Sequence, residues 1–328
     1  MPRALGVVLL SLAVLLGAIA FAVSFGTEPI SLTRALDDAS SLDRAIVVEV
    51  RLPRVLLGAL AGAGLSIVGV ALQALLRNPL AEPYVLGVSG GSAVGATLAI
   101  MIGISSVSVV PLFALGGGLA ATAVVHAIAA AAPTDRGMTV LLAGIVVNAM
   151  ASAVITFVKT LVTQTKAQEL LFWLTGFLDV PPRSSLVAIA VYVAIGAAIL
   201  LRDAARLNVL ALGDSAAEHL GVSVRAVERR IYLASALVVG AIVSVTGLIG
   251  FVGLLVPHAL RRVVGPDARV LMPASLGFGG AVLVACDLVS RASFRFLYRE
   301  PPVGAVTALL GGSLFLFLFI RSRRAQSS

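Results

Sequence analysis

Long apolar blocks, separated by short polar breaks, run through almost the whole chain. Most blocks hold about 20 residues, the length that an α-helix needs to cross a bilayer. Lipid offers no hydrogen-bond partners to an unpaired backbone, so helices rather than open sheets are expected to span it. The eighth block is short, and a half-depth helix fits it as well as a full span. The pattern predicts ten helical spans, at residues 5–25, 53–75, 86–104, 107–131, 138–162, 184–202, 226–248, 250–262, 270–292 and 303–321.

The composition of the chain agrees with a lipid environment. Of its 328 residues, 59% are hydrophobic and 12% are charged, against about 25% charged in a soluble globular protein. We therefore predict an all-α, polytopic membrane protein with a single transmembrane domain over residues 1–328. Arg3 and the apolar stretch 4–25 also resemble a signal peptide, but the length of the stretch favours a retained first span.

Basic residues outnumber acidic ones, 24 to 16. In a soluble protein this balance would indicate nucleic acid, whereas in a membrane protein arginines mark the cytoplasmic side. With the N-terminus inside, the cytoplasmic loops hold the larger share of the basic residues, and the outer segment 26–54 offsets its arginines with acids. The pattern predicts both termini in the cytoplasm and no nucleic-acid partner.

Three polar segments separate the spans: two outer ones at 26–52 and 163–183, and a large inner one at 203–225. In the inner segment, Asp214 or Ser215 is expected to cap a short helix that Gly221 ends. Glu82 lies in another inner loop, between two prolines, where water is expected to reach it.

The chain lacks the residue patterns of an enzyme or of a metal site. A single cysteine, Cys286, excludes an internal disulfide and a cysteine metal cage, and the histidines show no ligand spacing. Neither Lys159 nor Lys166 follows a glycine, so the phosphate-binding loop of an ATPase is missing. We predict no catalytic residue, no metal and no cofactor, and any ATP-driven transport needs a separate subunit.

Glycines inside the spans point to close helix packing. They are spaced by four residues, at Gly58 and Gly62 and again at Gly87, Gly91 and Gly95, and form flat faces that let helices approach closely.

Asp287 lies inside the ninth span, and Arg291 follows one helical turn later, which predicts an ion pair. A proton relay through Asp287, which would make the chain a secondary transporter, is the alternative. It is weaker because no other span centre carries an ionisable group.

Arg51 and Arg54 lie at the outer mouth of the second span. They are interpreted either as simple interface anchors or, together with Arg291, as an outer basic rim that orients an acidic docking partner.

Motifs in both halves of the chain resemble the permease family of iron-siderophore, haem and cobalamin ABC importers. The resemblance runs from about residue 50 to the C-terminus. It rests on the motifs Arg51-Leu-Pro-Arg54, Gln73, Arg77-Asn-Pro-Leu-Ala-Glu-Pro83, Leu86-Gly-Val-Ser-Gly90, Leu212-Gly-Asp-Ser-Ala-Ala-Glu-His-Leu-Gly221, Gly250-Phe-Val-Gly-Leu-Leu-Val-Pro-His258, Asp287 with Arg291, and Glu300-Pro-Pro-Val-Gly304.

The resemblance implies an assembly as well as a fold. It implies ten helices per subunit, a second copy of the permease (a homodimer by default), two cytoplasmic ATPase subunits, and an extracytoplasmic substrate-binding protein. The location implied is the bacterial cytoplasmic (inner) membrane. Iron–siderophore or haem is the expected cargo, and cobalamin is the alternative.

The resemblance also implies roles for individual residues. Arg51, Arg54 and Arg291 would receive glutamates of the binding protein. ATPase coupling would fall to the segment 212–221, and in particular to Leu212, Gly213, Asp214, Ala217, Glu218, Leu220 and Gly221. The cytoplasmic gate and the start of the fifth span, which lines the pathway, would be formed by Asn78, Pro79, Leu80, Leu142, Gly144 and Asn148.

Overall fold

The computed structural model describes residues 2–38, 40–104, 109–131 and 136–326, and these contain helices and no β-strand. The helices are α1 (Pro2–Ser24), α2 (Leu32–Asp37), α3 (Leu42–Ala45), α4 (Leu52–Leu75), α5 (Val88–Met101), α6 (Val110–Ala131), α7 (Arg136–Leu161), α8 (Gln164–Thr175), α9 (Arg183–Leu210), α10 (Asp214–His219), α11 (Val224–Thr246), α12 (Val252–Val264), α13 (Ala268–Leu297) and α14 (Val303–Gln326). A π-helical turn (Ile46–Arg51) joins α3 to α4, and a 3₁₀ turn (Pro83–Leu86) precedes α5.

Each of the ten predicted spans coincides with a helix, and seven described helical stretches are long and apolar enough to cross a bilayer. Helices α5 and α14 offer shorter apolar stretches, and α12 has 13 residues. The chain is therefore a multi-pass, all-helical membrane protein.

Two segment boundaries predicted from hydropathy are wrong. The second span begins at Leu42 rather than at residue 53, because α3, the π-helical turn and α4 form one continuous stretch of 34 residues. Helix α9 continues to Leu210, so the inner segment predicted from residue 203 is helical at its start. In both places charged residues sit on a helix that extends beyond the apolar block, and hydropathy cannot register that extension.

Helix α4 forms the centre of the bundle and packs against α13, α9, α12 and α11. Its glycines make this possible: a Cβ atom at Gly62 would lie 2.2 Å from the carbonyl oxygen of Gly279 on α13. One at Gly69 would lie 1.9 Å from the carbonyl oxygen of Gly253 on α12. Small residues let these backbones touch where bulky side chains would separate them.

The α5–α6 pair uses the same device, as the glycine spacing predicts. A Cβ at Gly91 would approach the Gly117 carbonyl oxygen to 2.3 Å, and one at Gly95 the Phe113 carbonyl oxygen to 2.1 Å. Gly87 has a different role, because it precedes α5 with φ +73, a left-handed conformation that favours glycine.

Four of the described helices leave most of their apolar surface uncovered. The apolar window of α1 is 11% buried, and those of α6, α7 and α9 are each 28% buried. Apolar faces of this size are stable in hydrocarbon or against another subunit.

Candidate functional site

The predicted Asp287–Arg291 ion pair is present and belongs to a larger group. We name Arg51, Arg54, Asp287, Arg291 and Glu300 the outer arginine cluster, since they lie at the end of the bundle that is predicted to face outside. Asp287 is 1% exposed, and its Oδ2 accepts from Arg291 Nε at 2.9 Å. Its Oδ1 accepts from Arg54 Nε at 3.0 Å and lies 2.9 Å from Arg54 Nη2. Both oxygens are thus occupied by guanidinium groups, which weakens the proton-relay alternative.

Arg291 also holds the end of α1. Its Nη1 and Nη2 donate to the carbonyl oxygen of Ala22 at 3.2 and 3.1 Å, and Nη1 donates to that of Phe25 at 3.1 Å. The last carbonyls of a helix lack intrahelical donors and carry the negative end of the helix dipole. A guanidinium at this position satisfies both the hydrogen bonds and the charge.

Arg51, in the π-helical turn, also donates to carbonyl groups at the end of α1. Its Nη1 donates to the carbonyl oxygens of Val23 and Ser24, each at 3.0 Å, and its Nη2 donates to that of Glu28. Arg51 is 5% exposed and Arg291 is 4% exposed. The donors of these two side chains are directed inward at backbone carbonyls.

Arg54 and Glu300 form the solvent-facing edge of the cluster. Arg54 Nη1 donates to Glu300 Oε2 at 2.9 Å, with the two side chains 17% and 32% exposed. Glu300 Oε1 accepts from Thr27 Oγ1 at 3.0 Å. A role of the three arginines in docking a partner stays a prediction, and Arg54 is the member whose position suits it best.

At the opposite end of the bundle, Arg77 joins two segments that the sequence assigned separate roles. Its Nε donates to the carbonyl oxygen of Leu210 at the end of α9 at 3.0 Å, and its Nη2 pairs with Asp214 of α10. Arg77 stops α4 with φ +48. The predicted gate residues Asn78, Pro79 and Leu80 follow directly, so Arg77 links the turn that holds them to the predicted coupling segment 212–221.

The predicted gate residues form a tight turn. The backbone N–H of Asn78 donates to the carbonyl oxygen of Gln73 at 3.2 Å, and Asn78 Oδ1 accepts from the backbone N–H of Leu80 at 2.9 Å. Leu80 is 51% exposed. The turn therefore presents an apolar side chain beyond the end of α4.

The predicted short helix in the coupling segment is α10, but its predicted cap is wrong. Gly213 is the N-cap, with φ +114, and no side chain caps the helix. Asp214 pairs with Arg77 and so does not act as the cap. Gly221, with φ +78, follows the helix end as expected.

Two apolar side chains of this segment point away from the protein. Leu212 is 69% exposed and Leu220 is 64% exposed, whereas Ala217 is fully buried. Glu218 is also exposed. Ala217 packs the segment against the bundle, and the leucines flanking α10 form a small surface that is suited to a partner.

Buried polar contacts fix the neighbouring helix ends, and the sequence reasoning missed them. Asp203 is buried, with Oδ2 accepting from Arg230 Nε at 2.7 Å and Oδ1 accepting from Arg230 Nη2 at 2.9 Å. Asn208 Nδ2 donates to Asp267 Oδ1 at 2.6 Å. Hydrogen bonds from Arg269 and Asn208 lower the pKa of Asp267 to about 2. Asp203 and Asp267 lie at predicted inner ends of helices, and an acidic residue at such a position was the sequence signal that could have indicated these contacts.

The predicted pathway residues on α7 face different ways. Leu142 is 57% exposed, on the same open face as Ile145 and Val146, whereas Gly144 is buried. Asn148 Nδ2 donates to the carbonyl oxygen of Tyr84 at 3.0 Å, and its Oδ1 accepts from the Gly90 N–H at 3.1 Å. Asn148 therefore ties α7 to the start of α5.

Glu82 is turned into the protein, although the sequence suggested a water-exposed loop. Its Oε1 accepts from the backbone N–H of Phe251 at 3.2 Å, and burial raises the pKa of its carboxyl group. Phe251 has φ +68 and begins α12. The carboxylate thus joins the loop after α4 to a strained helix start.

Within the described ranges, no three His, Cys, Asp or Glu side chains come together as a metal site. Arginine–carboxylate contacts between helices lie at both ends of the bundle.

Comparisons with known proteins agree with this geometry. The sequence profile of the FecCD transport family matches residues 12–321. A cobalamin import system permease protein of Halobacterium salinarum is 42% identical over 284 residues, which are 87% of this chain and 75% of the relative. A hemin transport system permease protein of Yersinia pestis is 35% identical over 86% of this chain and 85% of its own length.

Among solved structures, one describes an inward-facing ABC transporter assigned to the metal-chelate type. It superposes with a TM-score of 0.87 at 29% identity and covers 98% of this chain and 100% of its own. The fold, the sequence match and the shared length together place this chain in the FecCD transport family.

Proposed function

We propose that the chain is the membrane-spanning permease subunit of a binding-protein-dependent ABC importer that carries a large metal chelate. The observation that supports this most is the family match over residues 12–321 on a fold that is shared along the whole chain. Iron–siderophore or haem is the first candidate for the cargo. Cobalamin is the alternative, and the 42% identity to a cobalamin permease supports keeping it.

The proposed topology has ten crossing helices in one domain, residues 1–328, with both termini in the cytoplasm of a bacterial cell. The C-terminal ends of α1 and α13 and the start of α4 meet in the outer arginine cluster. The ends of α4 and α9 and the start of α10 meet at Arg77, at the other end. This arrangement agrees with the alternation of loops that the positive-inside pattern requires.

The coupling segment is proposed to bind an ATPase subunit. Its exposed leucines suit an apolar groove, and Glu218 lies beside them on the surface. Closure of an ATPase pair would pull on α10, and Arg77 would pass that displacement to the gate residues 78–80.

The remaining partners are proposed for the other surfaces. A second copy of the chain would cover the open face of α7, with Leu142 beside the pathway. The binding protein would dock at the outer end, near Arg54 and Glu300. Arg51 and Arg291 would support that surface from below by fixing α1 and α13.

Transport assays in proteoliposomes test the proposal. The chain is purified together with its ATPase subunit, and a binding protein loaded with ferric siderophore, haem or cobalamin is supplied outside. Uptake of one of these chelates that requires ATP and the binding protein is expected. Uptake by the purified chain alone, driven by a pH gradient, would contradict the proposal and favour a secondary transporter.

A further inference from the structure

A groove runs from the connection between α8 and α9 down the face formed by α6, α9 and α11. Its upper part is a cavity of about 280 Å³ beside Trp173, and its lower part is a cavity of about 220 Å³ beside Tyr192. The two parts are continuous, because both are lined by Pro111, Ser185, Ser244 and Val245. We name the whole the outer groove.

The upper cavity combines carboxylates with aromatic rings. Glu169 and Asp179 both line it, together with Phe172, Trp173 and Phe177. The rings of Phe172 and Phe177 lie 4.1 Å apart between centroids. Among the described residues that line this cavity there is no lysine or arginine. Carboxylates beside aromatic faces attract a cation, and most strongly an alkylammonium group.

The lower cavity is lined mostly by apolar side chains, and its polar members are Ser184, Ser185, Tyr192 and Ser244. Leu112, Leu115, Ala188 and Ile189 line it, and Leu112 is 65% exposed. On the neighbouring surface of α9, Val187 is 62% exposed and therefore also needs an apolar environment. The apolar side chains of this part of the groove suit a hydrocarbon chain.

The first turn of α9 lies where the two parts meet. Ser184 lines the lower cavity, and Ser185 lines both. The first backbone N–H groups of a helix have no intrahelical acceptor, and they carry the positive end of the dipole. A ligand with a cationic group in the upper cavity and a hydrocarbon chain in the lower one would place any negative group between them beside these N–H donors and the serine hydroxyls.

We propose that the outer groove binds a membrane phospholipid with an ammonium headgroup, of the phosphatidylethanolamine class. The ammonium lies between Glu169 and Asp179 against the aromatic rings, the phosphate at the first turn of α9, and an acyl chain in the lower cavity. A lysine side chain of a docking protein would match the upper cavity alone. The continuous apolar lower cavity favours the lipid.

Native mass spectrometry of the full chain released from detergent tests the proposal. The protein is exchanged into mixed micelles with equal amounts of phosphatidylethanolamine and phosphatidylglycerol, and the bound lipids are counted. Preferential retention of phosphatidylethanolamine is expected. Neutralising both carboxylates, with Glu169→Gln and Asp179→Asn, is expected to reduce that preference about tenfold.

A matched control removes the same two charges elsewhere. Asp37→Asn with Glu49→Gln alters exposed acids of the segment between α1 and α4 and is expected to leave the lipid preference unchanged. Ala188→Trp, which fills the lower cavity without changing charge, is expected to reduce retention of both lipids. Retention without preference, or a preference that survives the double variant, would overturn the proposal. So would variants that leave the lipids bound but weaken association with a binding protein.

Discussion

The outer arginine cluster and the Arg77–Asp214 pair at the inner end both place arginines beside acidic residues, yet the two contacts differ in burial. In the outer arginine cluster, Asp287 is 1% exposed and is enclosed by Arg54 and Arg291. At the inner end, the side chains of Arg77 and Asp214 are 44% and 58% exposed. Breaking a buried pair leaves an uncompensated charge, whereas an exposed pair separates at little cost.

The difference suggests a division of mechanical roles. The outer cluster joins α1, α4 and α13 and connects them to the residues before α14, so these elements are expected to move as one body. The inner contact holds α10 against the end of α4 by a pair that water can replace, and such a contact can open and close during a transport cycle.

The largest expected effect is that of Asp287→Ala. Removing the carboxylate leaves Arg54 and Arg291 near each other without their shared partner, which is expected to cost about 3–5 kcal/mol of stability. Thermal unfolding in detergent measures this loss. Asp37→Ala, at an exposed acid outside the cluster, is the control and should leave the midpoint unchanged. Equal midpoints for the two variants would mean that the cluster does not hold the bundle together.

The next effect concerns the exposed leucines of the coupling segment. Leu212→Asp with Leu220→Asp places charges where an apolar groove is expected, so binding of the ATPase subunit should weaken at least about tenfold. Co-purification and surface binding measure it. Leu36→Asp, at a residue that is 78% exposed on α2, is the control. Unchanged affinity would show that the ATPase binds another surface.

Arg77→Asp is expected to have a smaller effect, on coupling and not on folding. The exposed pair with Asp214 is worth up to about 1 kcal/mol, so transport per ATP hydrolysed should fall about two- to fivefold. Asp214→Arg added to this variant should restore part of the coupling, because the pair re-forms with its charges exchanged. If the double variant is worse than either single one, the pair does not connect gate and coupling segment.

The smallest effect is expected for Glu300→Gln. The change frees Arg54 Nη1 from its half-exposed partner and should alter stability by less than about 1 kcal/mol. If Arg54 binds carboxylates of the binding protein, association should become faster, and the gain should be larger at low salt. Glu49→Gln is the control. Slower association would assign Glu300 itself to the docking surface.

Much of the fold follows from the pattern of apolar blocks, because a spanning helix must be both long and apolar. The glycine faces and the Asp287–Arg291 pair were also predictable, since residues four apart share one side of a helix. The inward direction of Arg51 was not, because its partners are backbone carbonyls at the end of α1 and just after it, more than 20 residues away in sequence. Every residue carries a backbone carbonyl, so the residue types do not reveal which carbonyls accept from an arginine.

The site was predictable to a similar degree. Leu212 and Leu220 were identified and are exposed, but the link through Arg77 to Asp214 joins residues 137 positions apart. The sequence around Arg77 does not indicate Asp214 as its partner, nor does the sequence around Asp214 indicate Arg77. The cap at Gly213 was missed for a related reason: the tertiary contact with Arg77 takes the carboxylate that local rules assign to the helix end.

We propose that an ATPase partner drives this chain through residues 212–221. Site-specific cross-linking tests it most directly, with Leu220→Cys in the intact complex; the native Cys286 is buried and 7% exposed, so background labelling should be low. A cross-link to the ATPase subunit is expected to form at Leu220→Cys and not at Leu36→Cys, and to stop ATP-driven uptake. A cross-link at neither position, with uptake intact in the complex, would contradict the proposal.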